Sequence, residues 1–373
     1  MQILLHGYYG AGNLGDDAIL ESIIDSFALK FPKASFTVVS KGLCPAYRGP
    51  RHVKTVRIDS YAAVKNAVQQ ASFVVLGGGG ILQDYNGWEP HYNFGSKARG
   101  VNYYGQVVDL AKKLGKPVYF YGIGAGPFFS QHAKQYALRL LAVAKRATVR
   151  DADSLKMVRS VGNIRLTADP ALNLKHEPPK TALKYLRSEG VPVHKTLVGI
   201  SMRPWKFKGG DRKALIEAMA KVASGIVRNS KAHLVLLPFS RNGDAAVLNE
   251  LAQRLPAGSY TMMRKHYPPK AMKGICGRLS LMIGMRLHSL ILSAAMGVPV
   301  IGISYDPKVA LFFRSVRMSP YCHPLHRLPA PKMTRQALQL MKSQQSWRRN
   351  YRSHVLRLKI REKQNIPFLF QEV

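Results

Sequence analysis

Short apolar runs recur along this chain, each followed by a stretch with helical spacing, and the pattern occurs twice. In the first half, residues 2–6 (QILLH), 35–39 (SFTVV), 72–76 (SFVVL), 117–121 (PVYFY) and 164–167 (IRLT) have the length and composition of buried strands. Residues 16–30, 60–71, 98–114, 132–146 and 152–161 between them read as helices. The second half repeats the scheme, with strands at 196–201, 233–238, 279–284 and 298–304 and helices near 211–229, 244–254, 286–296 and 306–315. Nearly continuous apolar strands alternating with helices belong to parallel sheets covered on both faces. The expected fold class is α/β, with two doubly wound Rossmann-like domains facing a cleft. Residues 1–175 make the first domain and 195–330 the second, and the polar, proline-interrupted stretch 175–195 is the expected linker. A basic helix over 334–363 follows, expected to cross the domain junction or to touch a membrane.

Charge narrows the partners. Fifty-six Lys and Arg stand against twenty Asp and Glu, a net charge of +36. A field of that size favours an anionic partner, whether nucleic acid, an acidic lipid surface or a multiply charged substrate. No apolar run is long enough to span a bilayer, because 279–304 carries Arg286 and His288 in its middle. Cys44, Cys276 and Cys322 are odd in number and far apart, which predicts free thiols in a cytoplasmic protein. His323 and His326 form H-x-x-H without a nearby carboxylate, so no metal site is expected there.

The residues that carry chemistry lie just past the strands. GYYGAGNLGDD follows the first strand, GGGGILQD the third and GIGAGPF the fourth, and Arg150-Asp151 closes the run ending at Val149. Glycine lets the backbone approach a ligand closely, so three such loops on one sheet edge mark a binding crevice. G-x-G-x-x-G at residues 10–15 has the spelling of a dinucleotide turn. However, the second strand ends in Ser40-Lys41 without the acid that would hold a ribose, and Asp16-Asp17 put negative charge where a pyrophosphate would rest. In the second half, Arg203, Arg286 with His288, and Asp306 with Lys308 each follow a strand. Arginine forks match carboxylate and phosphate, lysine adds a point charge, and a histidine beside them suits acid–base work.

The stretches GYYGAGNLGDDAIL, VVLGGGGILQD, GIGAGP, VRDADS, GISMRPW, GMRLHSL and GVPVIGISYDPKV, in that order from residue 3 to about 313, resemble those of the polysaccharide pyruvyltransferases, in particular the bacterial cell-wall (CsaB-like) type. The resemblance implies a GT-B-like fold. It also implies an enzyme that moves the enolpyruvyl unit of phosphoenolpyruvate onto a sugar of a cell-wall or surface polysaccharide precursor. The product would be a cyclic 4,6-pyruvate ketal, with release of phosphate. On this reading His288, Arg286 and Asp17 are catalytic, and Arg150, Arg203, Arg286 and Lys308 hold phosphoenolpyruvate. Asn13, Asp16, Asp17, Gly79, Gly80, Asp84 and Asp244 meet the acceptor sugar. Phosphoenolpyruvate enters as co-substrate, with neither cofactor nor metal expected. The acceptor is lipid-linked or polymeric, the site of action is the inner face of the cell membrane, an anionic membrane surface is a partner, and no nucleic acid is expected. The sequence departs from the family pattern at Ser240, where a histidine or glutamine is usual. Two rival readings remain open here: a GT-B glycosyltransferase using a nucleotide sugar, and a nucleic-acid-binding protein, which the charge alone favours.

Overall fold

The computed structural model describes residues 1–42, 53–85, 87–205, 212–342 and 344–371, so Cys44 lies outside the described residues. The chain divides into two compact units, Met1–Leu174 with Leu358–Val373, and Lys175–Arg357.

The first unit begins with β1 (Gln2–His6), α1 (Leu14–Lys30), β2 (Ser35–Ser40), β3 (Val53–Arg57), α2 (Tyr61–Gln70) and β4 (Phe73–Leu82). It continues through α3 (Gly100–Lys113), β5 (Val118–Ala125), α4 (Gln131–Ala142), β6 (Arg146–Val149), α5 (Ala152–Val158) and β7 (Ile164–Leu166). Its seven strands are ordered β3-β2-β1-β4-β5-β6-β7, and every neighbouring pair is parallel. The central strands are buried on both faces, as their unbroken apolar runs require; Ile3, Leu4, Val38, Val74 and Phe120 are all within the core.

The second unit opens with α6 (Pro179–Ser188) inside the stretch expected as a linker. Pro178 and Pro179 read as breakers in sequence, but Pro179 occupies the first helical turn, where its missing N–H costs nothing. Ala182 and Leu186 of α6 are buried, so the segment is part of the unit's core. Then follow β8 (Leu197–Ser201), α7 (Arg212–Ser230), β9 (His233–Leu236), α8 (Asp244–Ala252), β10 (Tyr260–Met262), α9 (Pro269–Cys276) and β11 (Leu281–Gly284). After them come α10 (Leu287–Ala295), β12 (Val300–Ser304), α11 (Pro307–Ser315), β13 (Cys322–Pro324) and α12 (Ala330–Lys342). The six strands, again parallel, are ordered β10-β9-β8-β11-β12-β13. His323 on β13 is buried and bonded to Gln336 at 2.8 Å, which is a structural use of that histidine.

The basic segment expected over 334–363 is two helices, α12 and then α13 (Gln344–Glu362), followed by α14 (Asn365–Leu369), which belongs to the first unit. The chain's return adds a buried polar network to that unit. Asn365 accepts from Thr148 and Thr167 through Oδ1, while Glu362 accepts from Tyr121 at 3.1 Å and from Asn173. Phe370 packs its ring against Phe27, Phe31, Phe73 and Tyr119, with centroids 4.8–5.7 Å away. No helix among the described residues is long and apolar enough to cross a membrane.

Candidate active site

In the seven-stranded sheet the strand order reverses between β1 and β4, and ligands of such sheets bind beyond the carboxyl ends at that reversal. The loop after β1 ends at Asn13, which caps α1 by accepting from the Gly15 amide at 3.3 Å and also donates to the Asp16 carboxylate. Asp16 and Asp17 fill the first turn of α1, where carboxylates complement the helix dipole; Asp17 is buried and Asp16 partly open. The glycine run of β4 explains how close they come to the sheet. Gly78 and Gly79 hold φ of +54° and +82°, a Cβ on Gly78 would fall on Ile19 of α1, and one on Gly79 would stand 3.2 Å from Asp16 Oδ1. The bare backbone therefore lets α1 settle on β4 with Asp16 at the reversal point. Asn13, Asp16, Asp17 and Gly79 are thus brought together.

Two neighbouring expectations come out differently. Arg150 belongs to this unit, whereas Arg203, Arg286 and Lys308 belong to the second, and its side chain is only 7% exposed. It pairs with Asp169 at 3.0 Å and Asp151 at 3.5 Å. Burial works against its charge, but Asp169 and Asp151 outweigh that and raise its pKa. Gly80 and Gly124 make room for it: a Cβ would approach its guanidinium to 3.4 and 3.1 Å. Asp84, expected on the acceptor sugar, is buried and accepts the backbone amides of Phe129, at 2.9 and 3.0 Å, and Ser130, at 2.7 Å. Its carboxylate clamps the loop after β5 to the loop after β4. His6, beneath this edge, is fully buried, which pushes its pKa down to about 4 although Tyr103 and Val39 carbonyls flank the ring.

The six-stranded sheet reverses between β8 and β11, and its cations gather there. Arg286 stands at the N-cap position of α10, just after β11, and His288 sits in the first turn of that helix. The guanidinium edge formed by Nε and Nη2 donates to Asp244 at 2.6–3.2 Å. Asp244, at the start of α8, is completely buried and also accepts the Phe239 amide at 3.1 Å. It takes one edge of the fork and leaves the Nη1 end for a second oxyanion. Asp244 was expected among the acceptor residues, but it lies in the second unit and positions Arg286.

Arg203 follows β8 and is tied to the end of β12. Its Nη1 donates to the Tyr305 hydroxyl at 3.0 Å, and its guanidinium lies 4.8 Å from the Tyr305 ring centre and 5.1 Å from that of Trp205. The two rings meet edge to face at 4.6 Å. Lys308, at the start of α11, pairs with Asp306 at 3.2 Å and stands 5.4 Å from the Tyr305 ring centre. Among the described residues no carboxylate pairs with Arg203, whereas Asp306 and Asp244 offset Lys308 and Arg286. Arg203 thus carries the uncompensated charge of this group. Sequence reasoning singled out the cations but passed over Tyr305 and Trp205, whose signal was an aromatic directly beside a cation at a strand end.

The profile of the polysaccharide pyruvyl transferase family matches residues 13–307, from the N-cap of α1 to the start of α11. The chain belongs to that family. This polysaccharide pyruvyl transferase is 24% identical over 355 residues, 83% of its length and 84% of the relative's, to the amylovoran biosynthesis protein AmsJ of Erwinia amylovora. Its fold is that of the GT-B glycosyltransferases. It superposes on Anabaena Alr3699/HepE, solved with UDP and glucose, with a TM-score of 0.62 at 12% identity and complete coverage of both chains. On the E. coli ADP-heptose LPS heptosyltransferase II the TM-score is 0.56 at 10% identity, covering 92% of this chain and 99% of that one.

Proposed function

We propose that this pyruvyl transferase takes phosphoenolpyruvate as donor and closes a cyclic 4,6-ketal on a sugar of a cell-wall or surface polysaccharide precursor. The observation that carries the reading is the placement of Arg203 after β8, and of Arg286 and His288 after β11, the two neighbouring strands at the reversal of the six-stranded sheet. Phosphoenolpyruvate presents a carboxylate and a phosphate on one small frame. Two arginine forks and a lysine suit both groups, and Arg203 supplies the net positive charge. Ketal formation adds a proton to C3 while a sugar hydroxyl attacks C2 and gives up its own proton. Phosphate then leaves, and a second hydroxyl of the same sugar attacks C2 and gives up its proton. His288 moves these protons, and the arginine forks stabilise the charge that builds on the departing phosphate. Asn13, Asp16 and Asp17 orient the acceptor hydroxyls; a carboxylate accepts from a hydroxyl and would repel the donor.

The test is phosphate release from phosphoenolpyruvate with synthetic disaccharide and lipid-linked acceptors, with the product resolved by mass spectrometry. The expected result is one phosphate released per ketal formed, with loss of more than a hundredfold in rate in His288→Ala. Turnover of a nucleotide sugar with release of nucleotide, and none of phosphoenolpyruvate, would overturn the reading.

A further inference from the structure

Helix α13 carries two opposed stripes. Tyr351, Val355, Leu358 and Glu362, spaced 4-3-4, are all buried. The opposite side, residues 349, 353, 356 and 360, with 363 just past the helix end, spaced 4-3-4-3, is open. That outer stripe reads Arg349, Ser353, Leu356, Ile360, Lys363, with Arg352 and Arg357 exposed on its flanks. Leu356 is 56% exposed and Ile360 54%, one turn apart and ringed by cations. The sequence offered two uses for this basic helix, packing or membrane contact. The inner stripe is buried against the protein, and the outer stripe is exposed. Positive charge extends beyond the helix: burial first, and then Arg317 and Arg357 beside it, hold the pKa of His354 below its usual value.

We infer that the outer stripe of α13 is a docking surface for an anionic lipid membrane. Arginines attract acidic headgroups, and Leu356 and Ile360 enter the boundary between headgroups and acyl chains. A nucleic acid would engage the arginines and gain nothing from two exposed aliphatic side chains. A second copy of the same stripe would set like charges against each other. Complementarity therefore selects a surface that is both negative and apolar just beneath, and the net charge of +36 strengthens the attraction. The inference does not depend on which group the enzyme transfers.

Flotation of the full-length protein with vesicles of phosphatidylglycerol and phosphatidylcholine, against phosphatidylcholine alone, tests it. The wild type should float with the anionic vesicles and lose binding as salt rises. Arg349→Gln and Arg352→Gln should each weaken the partition about fivefold. Leu356→Ser combined with Ile360→Ser should weaken it at least tenfold. All these positions are exposed, so thermal unfolding should be unchanged and serves as the control. Equal flotation of wild type and variants would overturn the proposal, as would failure of the wild type to float. A dimer in sedimentation that the Leu356→Ser, Ile360→Ser variant dissolves would assign the stripe to a second copy instead.

Discussion

Arg286 and Asp244 hold each other through the Nε–Nη2 edge of the guanidinium, so a change at either leaves the other exposed to its own cost. Removing the guanidinium strands a fully buried carboxylate, which costs about 3–5 kcal/mol. Arg286→Ala should therefore lose stability as well as activity, and its inactivity alone would say little about chemistry. Arg286→Lys keeps the charge beside Asp244 but has no fork. It should recover most of the stability, measured by urea unfolding, while raising the KM for phosphoenolpyruvate by roughly tenfold or more. A lysine variant with a wild-type KM would remove Arg286 from the donor site. The cations were legible because a charged residue just past an apolar run is a local signal. Their partners were not: Asp244 is 42 residues from Arg286, and Asp84 spends itself on amides 45 and 46 residues away. Neither carboxylate's role is visible until the loops are brought together.

Among the edge strands, β7 was legible at 164–167, whereas β3, β10 and β13 were not. β3 reads Val-Lys-Thr-Val-Arg with its middle residues exposed, so charge interrupts the apolar run that marks a buried strand. β10 and β13 are three residues long and half-open or mixed in burial, too short for any period to appear. The end of α13 is opaque for another reason, because its buried acid depends on distant partners. Burial raises the Glu362 pKa from 4.5 to about 7, against the hydrogen bonds from Asn173, Tyr121 and Asn365 that lower it. The folded state thus keeps a proton that the unfolded chain gives up earlier. Between pH 4.5 and about 7 the first unit should lose stability as pH rises. Glu362→Gln stays neutral throughout. Its stability relative to wild type should grow across that window by on the order of 3 kcal/mol, read from urea unfolding at a series of pH values. A difference that does not change with pH would mean that Glu362 is ionised in the folded protein.

At the scale of the whole molecule, the alternation of strands and helices announced two Rossmann-like sheets, but not that the first unit is closed by residues from beyond the second. Nothing in the composition of 358–371 marks it as belonging to a sheet completed by residue 166. Deleting Leu358–Val373 would uncover Phe27, Phe73 and Tyr119 and leave Thr148 and Thr167 without Asn365. The truncated chain should lose the unfolding transition of the first unit in calorimetry while keeping that of the second. Survival of both transitions would show that the returning segment only decorates the sheet. The same topology sets an order on synthesis. The first sheet leaves the ribosome early, yet its covering segment emerges only after all of Lys175–Arg357. For that interval Phe73 and Tyr119 lack the Phe370 ring that covers them, so the second unit should finish folding before the first.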